Sequence, residues 1–236
     1  LDAREGKHRD VFTADFQTAG RGRLDHKWLS PEGTNLMMSA VLSVGGLVPE
    51  QVATLPLVAG LAVAKALRQF CADNEDMRRE TGDVKLKWPN DVLVGGKKIA
   101  GILCERNGDN VIVGIGVNVG QTEFDKEIAD RATSVLLQGR SGILSASERE
   151  ISVRSVRTAV LCELDRWYSR WREKGFAAVH PEIAAVDLLR GRTVSVRQND
   201  DDSAPIAGVS NGIMLDGSLD VDGVKVYAGE AHVEKL

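Results

Sequence analysis

The sequence has few cysteines, no excess of positive charge and no long apolar run. Its three cysteines, Cys71, Cys104 and Cys162, are odd in number and far apart, which argues against a disulfide framework and against a zinc site. A formal net charge of -4 argues against a whole-molecule affinity for nucleic acid. We find no apolar stretch near the roughly twenty residues of a membrane span, and no signal-peptide core. These absences predict a cytoplasmic protein with no membrane partner.

What is present is the pattern of an α+β fold. Apolar residues at helical spacing predict a buried helix from Pro49 to Cys71. A second helix is predicted to open with a capping box at Ser147 to Glu150 and to end near Lys174, before Gly175. The predicted strands are residues 11–16, 35–42, 84–88, 92–94, 99–104 and 111–119.

After Asp187 the pattern changes to short alternating strands. Arg192 to Arg197 alternate strictly, and the dipeptides Asp216-Gly217 and Asp222-Gly223 are tight-turn signals. About five such strands in so short a segment predict a small antiparallel barrel or sheet. The chain therefore divides, on its pattern, into a larger α/β body in residues 1–186 and a small β domain in residues 187–236.

A glycine-punctuated basic loop at residues 17–28 is the first candidate for binding chemistry. Arg21 and Arg23 supply fork-shaped donors suited to carboxylate or phosphate. Gly20 and Gly22 are expected to adopt backbone conformations with φ > 0 and to let N–H groups approach a ligand closely. The loop predicts an anion site, although the arginines alone would also fit solvated loop charges.

The second candidate is the segment Lys87-Trp88-Pro89-Asn90-Asp91. Strand alternation places Lys87 on the face opposite Trp88, and Pro89 ends the strand, so Asn90 and Asp91 fall at a strand end. A lysine, an amide and a carboxylate in this span can hold a phosphate, a base or ribose edge, and Mg²⁺ respectively. An ordinary strand followed by a polar turn is the alternative for this segment alone.

Four motifs together resemble the biotin protein ligases, also called biotin-[acetyl-CoA-carboxylase] ligases. They are residues 17–23 followed by Trp28, residues 87–91, residues 98–103 and residues 114–119. The resemblance implies a catalytic domain with a central mixed sheet and packed helices, followed by an SH3-like C-terminal domain. It also implies that biotin and MgATP give biotinyl-5′-AMP, and that a lysine of a biotin carboxyl carrier protein then accepts the biotin.

The resemblance also implies roles for individual residues. Catalysis would fall to Lys98, Arg23 and Asp91, and Asp91 would also hold the metal. The biotin-binding residues would be Gln17, Arg21, Gly22, Arg23, Lys98, Gly101, Gly114 and Gly116. The ATP-binding residues would be Arg23, Trp28, Lys87, Asn90, Asp91 and Asn118.

The sequence departs from the family pattern at two places. Asp25-His26 stands where many members carry Gly-Arg, and only about ten residues precede Val11, where the family has an Asp-Ser-Thr-Asn segment that helps to bind biotin. No helix-turn-helix fits before Val11, so this chain is not expected to bind DNA. A homodimer is expected only by analogy. A lipoate or octanoate ligase or transferase, and a non-catalytic biotin-binding module, are the alternative functions.

Overall fold

The computed structural model describes residues 2–24, 26–71, 84–139, 152–198 and 204–233. Within these ranges the strands form two sheets. The strands are β1 Val11–Thr13, β2 Leu36–Ser43, β3 Val84–Lys87, β4 Asp91–Val94, β5 Lys97–Asn107, β6 Asn110–Val117, β7 Thr193–Arg197, β8 Ile206–Ile213, β9 Leu219–Val221, β10 Val224–Val226 and β11 Glu230–Val233. The α-helices are α1 Pro49–Val52, α2 Leu55–Cys71, α3 Val135–Gln138, α4 Val153–Lys174 and α5 His180–Val186.

The first sheet has six strands in the order β1-β2-β6-β5-β4-β3. Each neighbouring pair is antiparallel, and parallel pairing enters through two isolated bridges, Leu86 with Asp187 and Lys98 with Ala132. The turn between β4 and β5 has φ values of 57° and 76° at Gly95 and Gly96, as a tight hairpin requires. The predicted α+β fold with a central mixed sheet is confirmed.

Helix α2 packs its apolar surface on one face of this sheet. Gly60 lets the helix approach closely, because a Cβ at that position would collide with the side chain of Leu86 in β3. The segment Pro49–Cys71 is 23 residues long with a mean hydropathy of 1.3, so by length and composition alone it could cross a membrane. The expectation that no apolar stretch approaches the length of a membrane span is therefore wrong. Because 67% of it is buried within the protein, it has the environment of a core helix.

Helix α4 lies against α2 on the same side of the sheet. Ser152 caps its N-terminus by accepting a hydrogen bond from the backbone of Ser155, and Gly175 ends it with φ 75°. Trp167 and Trp171, which are four residues apart and therefore lie on one face of the helix, are both buried. The stop at Gly175 is confirmed. The residues of the predicted capping box, Ser147 to Glu150, lie outside the described ranges, but the predicted start of the helix is wrong, because the helix begins at Val153 and Ser152 and Ser155 form its capping box.

The second sheet contains five antiparallel strands in the order β10-β9-β8-β7-β11. Gly217, Asp222 and Gly223 have φ values of 82°, 48° and 86°, so both Asp-Gly turns form where the sequence predicts them. This sheet is consistent with an SH3-like domain. It meets the larger body at Trp88, whose indole Nε1 donates to the carbonyl of Gly217 at 3.1 Å.

Candidate active site

The face of the six-stranded sheet that points away from α2 carries a recess. Strand register aligns Asp91, Gly101, Gly116 and Met37 in one row across β4, β5, β6 and β2. Side chains in one row project to the same face, so the two central glycines leave that part of the face without side chains. The alternate residues, such as Ile102, belong to the buried core shared with α2.

The indole of Trp28 lies on this glycine-lined recess. A Cβ added to Gly116 would lie 2.6 Å from Trp28 Cε2, and a Cβ added to Gly101 would lie 3.4 Å from Trp28 Cζ3. The indole Nε1 is buried and has no hydrogen-bond partner within the described residues. Glycine is therefore required at Gly116 for close approach of a flat ring, and not for a special φ angle.

Residues 20–24 and 26–28 form the two sides of a short hairpin that carries Trp28 to the sheet. Arg21 pairs with Lys27, the N–H of Gly22 donates to the carbonyl of His26 at 2.7 Å, and the N–H of His26 donates to the carbonyl of Arg23 at 3.0 Å. The φ prediction for Gly20 and Gly22 is wrong, since neither has a positive φ and Leu24 has φ 52° instead. The chain reverses direction between Arg23 and His26, and the positive φ falls at Leu24. Gly20 serves close approach, because a Cβ on it would collide with the carbonyl oxygen of Trp28.

An ion pair marks one end of the recess. Lys98 Nζ lies 2.7 Å from Asp91 Oδ1, and it lies 6.0 Å from the centroid of the Trp28 ring. The same Asp91 oxygen is buried and accepts no hydrogen bond from the residues that the structure describes, so its geometry with Lys98 is that of an ion pair without hydrogen-bond alignment. The side chain of Lys98 is 40% exposed, so its ammonium group is accessible from the recess.

Arg23 joins this end of the recess from the hairpin. Its Nη1 donates to Asn90 Oδ1 at 3.3 Å and to the carbonyl of Gly229 at 3.4 Å. Asn90 is itself fixed, because its Nδ2 donates to the carbonyl of Ile102 at 2.9 Å and its own carbonyl accepts from the N–H of Ile102. Burial lowers the pKa of the Arg23 guanidinium, and the charges of Asp91 and Glu230 oppose this effect.

Lys87 completes the cationic cluster, which we define as Arg23, Lys87 and Lys98. Burial lowers the pKa of Lys87, the charges of Asp91 and Glu230 oppose this change, and those of Lys98 and Arg131 add to it. Counting Arg131, four cations therefore face two carboxylates in this region. Such a partly desolvated excess of positive charge favours the binding of an anion.

Two charged residues of the site, Glu230 and Arg131, could not be predicted from the sequence. Glu230 begins β11 in the second sheet, far along the chain from every cationic motif. Arg131 is brought in by its backbone, whose carbonyl accepts from the N–H of Lys98 at 2.8 Å. Neither residue lies in a local pattern that indicates a site, so only the tertiary structure reveals them.

Other predicted site residues lie outside the cationic cluster. Arg21 Nη2 donates to Glu105 Oε2 at 2.8 Å, and Glu105 is four residues from Gly101, which corresponds to roughly 13 Å along a strand. Gln17 is exposed beside Gly20. Gly114 lies on the recess face, one row beyond Gly116.

Asn118 occupies a structural position. It is buried, and its Nδ2 donates to the carbonyl of Thr133 at 2.9 Å, while its backbone N–H donates to the carbonyl of Ile99 at 2.9 Å. These bonds tie the end of β6 to β5 and to the segment before α3. The side-chain amide is thus engaged in holding the loop next to Lys98, and contact with an adenylate stays a prediction.

A cavity elsewhere on the surface and a search for metal-binding groups give no alternative site among the described residues. A cavity of about 330 Å³ lined by His8, Arg9, Ser43, Tyr168, Ser169, Arg172 and Glu173 lies at the far end of β2 and contains none of the predicted site residues. Among the described residues, no group of three or more His, Cys, Asp or Glu side chains could hold a metal ion.

The model of the biotin/lipoate A/B protein ligase family matches residues 2–121 of this chain. The chain belongs to this family. Among its curated relatives, the biotin--[acetyl-CoA-carboxylase] ligase of Mycobacterium tuberculosis is 33% identical over 230 residues, covering 96% of this chain and 79% of the relative. The bifunctional ligase/repressor BirA of Escherichia coli is 29% identical over 222 residues, covering 91% of this chain and 62% of the relative.

A solved biotin protein ligase structure shares the fold of this chain over nearly the whole length of both chains. The biotin protein ligase from Aquifex aeolicus in complex with biotin and ATP has a TM-score of 0.78 and 30% identity, covering 99% of this chain and 93% of that chain. The chain spans about half the length of the BirA relatives that it matches. The resemblance seen in the four motifs is confirmed at the level of family and fold, and the roles of single residues stay predictions.

The contact between Gly116 and Trp28 gives a testable prediction. In Gly116→Ala the new methyl group overlaps the indole, so the ring must move, and overpacking of this kind costs about 1–3 kcal/mol of unfolding free energy. The indole N–H resonance of Trp28, identified with Trp28→Phe, should shift in a nitrogen–proton correlation spectrum. Gly45→Ala is the matched control, because its Cβ makes only an ordinary contact at 3.4 Å. An unmoved Trp28 resonance in Gly116→Ala would contradict the packing described above.

Proposed function

We propose that this family member is a biotin protein ligase that converts biotin and ATP to biotinyl-5′-AMP and pyrophosphate. The observation that carries the proposal is the junction of the glycine-lined recess with the cationic cluster at Lys98. The recess offers an apolar, flat surface to a ring system, and the cluster offers charges to a carboxylate and a polyphosphate. The names of the relatives and the biotin and ATP bound by the Aquifex protein support this assignment.

Electrostatics explains why the cationic cluster suits this reaction. A carboxylate must approach the α-phosphate, and near a protein surface two unit charges about 4 Å apart repel by about 4 kcal/mol. Lys98 lies between the recess and Asp91, so its ammonium group can turn to the reacting oxygens and offset that repulsion. Arg23 and Lys87 would bind the remaining phosphate oxygens, and Asn90 would keep Arg23 in place.

The chain's residues fit a magnesium ion that is held mainly by substrate phosphates. Asp91 supplies one buried carboxylate oxygen without a hydrogen bond, and Mg²⁺ in nucleotide sites takes one or two protein carboxylates together with phosphates and water. When bound there, the ion would neutralise charge on the phosphate oxygens. Asp91 would exchange part of its interaction with Lys98 for the metal, which frees Lys98 to meet the carboxylate.

The second half of the proposed reaction transfers biotin to a lysine of a biotin carboxyl carrier protein. The adenylate is a reactive mixed anhydride, so an attacking amine needs no covalent enzyme intermediate. Trp28 lies directly on the recess glycines, so its ring would have to move off them before it and the hairpin could cover the adenylate and keep water away until the carrier arrives. The carrier and a homodimer are parts of this proposal that rest on the family alone, and the cytoplasmic location is proposed from the composition of the sequence.

Biotin-dependent exchange of labelled pyrophosphate into ATP tests the proposed function. A biotin ligase shows exchange with biotin, a lipoate or octanoate enzyme shows it only with lipoate or octanoate, and a non-catalytic binding module shows none. Mass measurement of the protein after incubation with biotin and MgATP should reveal bound biotinyl-5′-AMP. Exchange with lipoate alone, or no exchange with any acid, would reject the assignment.

Neighbouring lysines at the start of β5 provide a matched pair of variants. Lys98→Ala should lower the exchange rate by about a hundredfold or more, as expected for loss of one preorganised donor at the reacting oxygens. Lys97→Ala should leave the rate within about threefold, because Lys97 lies in the hairpin outside the cationic cluster. Equal rates for the two variants would remove Lys98 from the proposed role.

The proposed role of Asp91 predicts a change in magnesium dependence. Chelation of Mg²⁺ should abolish the exchange, and added Mg²⁺ should restore it. Asp91→Asn should raise the half-saturating Mg²⁺ concentration by about tenfold or more, because an amide oxygen attracts the cation far less than a carboxylate does. Asp109→Asn, an exposed turn position, serves as the control. An unchanged Mg²⁺ titration for Asp91→Asn counts against a metal at this carboxylate.

A further inference from the structure

Both backbone polar atoms of Ile213 in the second sheet are bonded by the side chains of His180, the first residue of α5, and Asp187, the residue after that helix. Asp187 Oδ2 accepts a hydrogen bond from the N–H of Ile213 at 3.0 Å, and His180 Nε2 lies 2.7 Å from the carbonyl oxygen of Ile213. A carbonyl oxygen can only accept, so His180 donates and carries its proton on Nε2. We call Asp187, His180 and the backbone of Ile213 the clamp.

Asp187 is an unusual residue to find at such a position. It is buried with 8% exposure, and its Oδ1 accepts from the N–H of Leu189 at 2.9 Å. Burial raises its pKa, while the backbone donors lower it. A buried carboxylate contributes little net stability in comparison with apolar packing. Its contribution here is to fix the orientation of the backbone N–H groups that donate to it.

The backbone lies close to Asp187 on two sides, at β3 of the first sheet and at β8 of the second sheet. Asp187 is bridged to Leu86 of β3, and the N–H of Leu188 donates to the carbonyl of Leu86 at 2.9 Å, so the carboxylate is anchored to the edge of the first sheet. On the other side, Gly212 has φ 105°, and a Cβ there would lie 3.0 Å from Asp187 Oδ2. Only glycine allows β8 to come this close.

The clamp is connected to the candidate active site through the pairing of the second sheet. Strand β8 pairs with β7, and β7 pairs with β11, in which Glu230 lies opposite Arg197. The carbonyl of Gly229, directly before β11, accepts from Arg23. On its other side, Ile213 leads into the turn whose Gly217 carbonyl accepts from Trp88. The position of β8 therefore sets both contacts of the second sheet with the cationic motifs.

We propose that Asp187 and His180 are positioning residues that set the placement of the second sheet, and through it the placement of Gly229 and Glu230 against Arg23 and Lys87. The identity of the affected ligand rests on the proposed function, in which Arg23 and Lys87 serve ATP. Loss of the clamp then weakens the nucleotide side of the site and leaves the glycine-lined recess intact.

Three variants test the clamp by their effects on KM. Asp187→Asn and His180→Ala should each raise the KM for ATP by about tenfold, while the KM for biotin stays within about twofold. His180→Gln should restore most of the loss, because its side-chain amide can donate to the Ile213 carbonyl. Asp165→Asn, which alters only an exposed ion pair with Arg9, is the control.

The indole N–H resonance of Trp88 provides a readout that does not need activity. It should shift in His180→Ala and return in His180→Gln, while the resonance of Trp167, which is bonded to Glu163 within α4, stays in place. Equal changes in both KM values, or an unmoved Trp88 resonance, would overturn the clamp. If the wild-type protein shows no exchange at all, the proposed function fails, and the Trp88 resonance alone decides on the clamp.

Discussion

Three positively charged side chains, Arg23, Lys87 and Lys98, lie in one partly desolvated region, and this arrangement is the main physical constraint on the fold. Arg23, Lys87 and Lys98 come from a hairpin, a strand edge and a strand start, and the opposing charges that act on Arg23 and Lys87 are those of Asp91 and Glu230. Such an excess is unfavourable without a bound anion, so the fold must hold it in place. The lowered pKa values of Arg23 and Lys87 show that burial is the larger effect. The site is therefore prepared for an anion before one binds.

The two faces of the six-stranded sheet have different roles, because one packs into the core and the other forms the candidate binding surface. On one face, alternate residues of β2, β5 and β6 pack with α2 and α4 into the core, which supplies the stability that the charged cluster lacks. On the other face, glycines replace side chains at the centre, and Trp28 lies directly on them. Because successive residues of a strand point to opposite faces, one stretch such as residues 99–103 serves both purposes. The rigid core thereby fixes the position of Lys98 and Asp91.

The structural features that local sequence patterns determine could be predicted from the sequence. The features that depend on packing between distant segments could not. The strands, the stop at Gly175 and the Asp-Gly turns follow from alternation and turn chemistry, and all of them form. The placement of Lys87 and Asp91 at the site follows from strand alternation in the same way. By contrast, the φ prediction for Gly20 and Gly22 failed because the hairpin reverses at Leu24, a register that no local pattern specifies. Glu230 and Arg131 arrive through pairings between distant segments.

The second sheet is part of the site, because it supplies a carbonyl to Arg23 and a carboxylate to the field around Lys87. A small displacement of β11 would change the balance of charge at the cationic cluster, since these interactions depend steeply on distance. Apolar packing between the two sheets tolerates sliding, whereas hydrogen bonds to both the N–H and the carbonyl of Ile213 specify the direction of the backbone there. This explains why a carboxylate as unfavourable to bury as Asp187 stands at the junction. An apolar residue there would pack as well, but it would leave the N–H of Ile213 unpaired and the sheet free to shift.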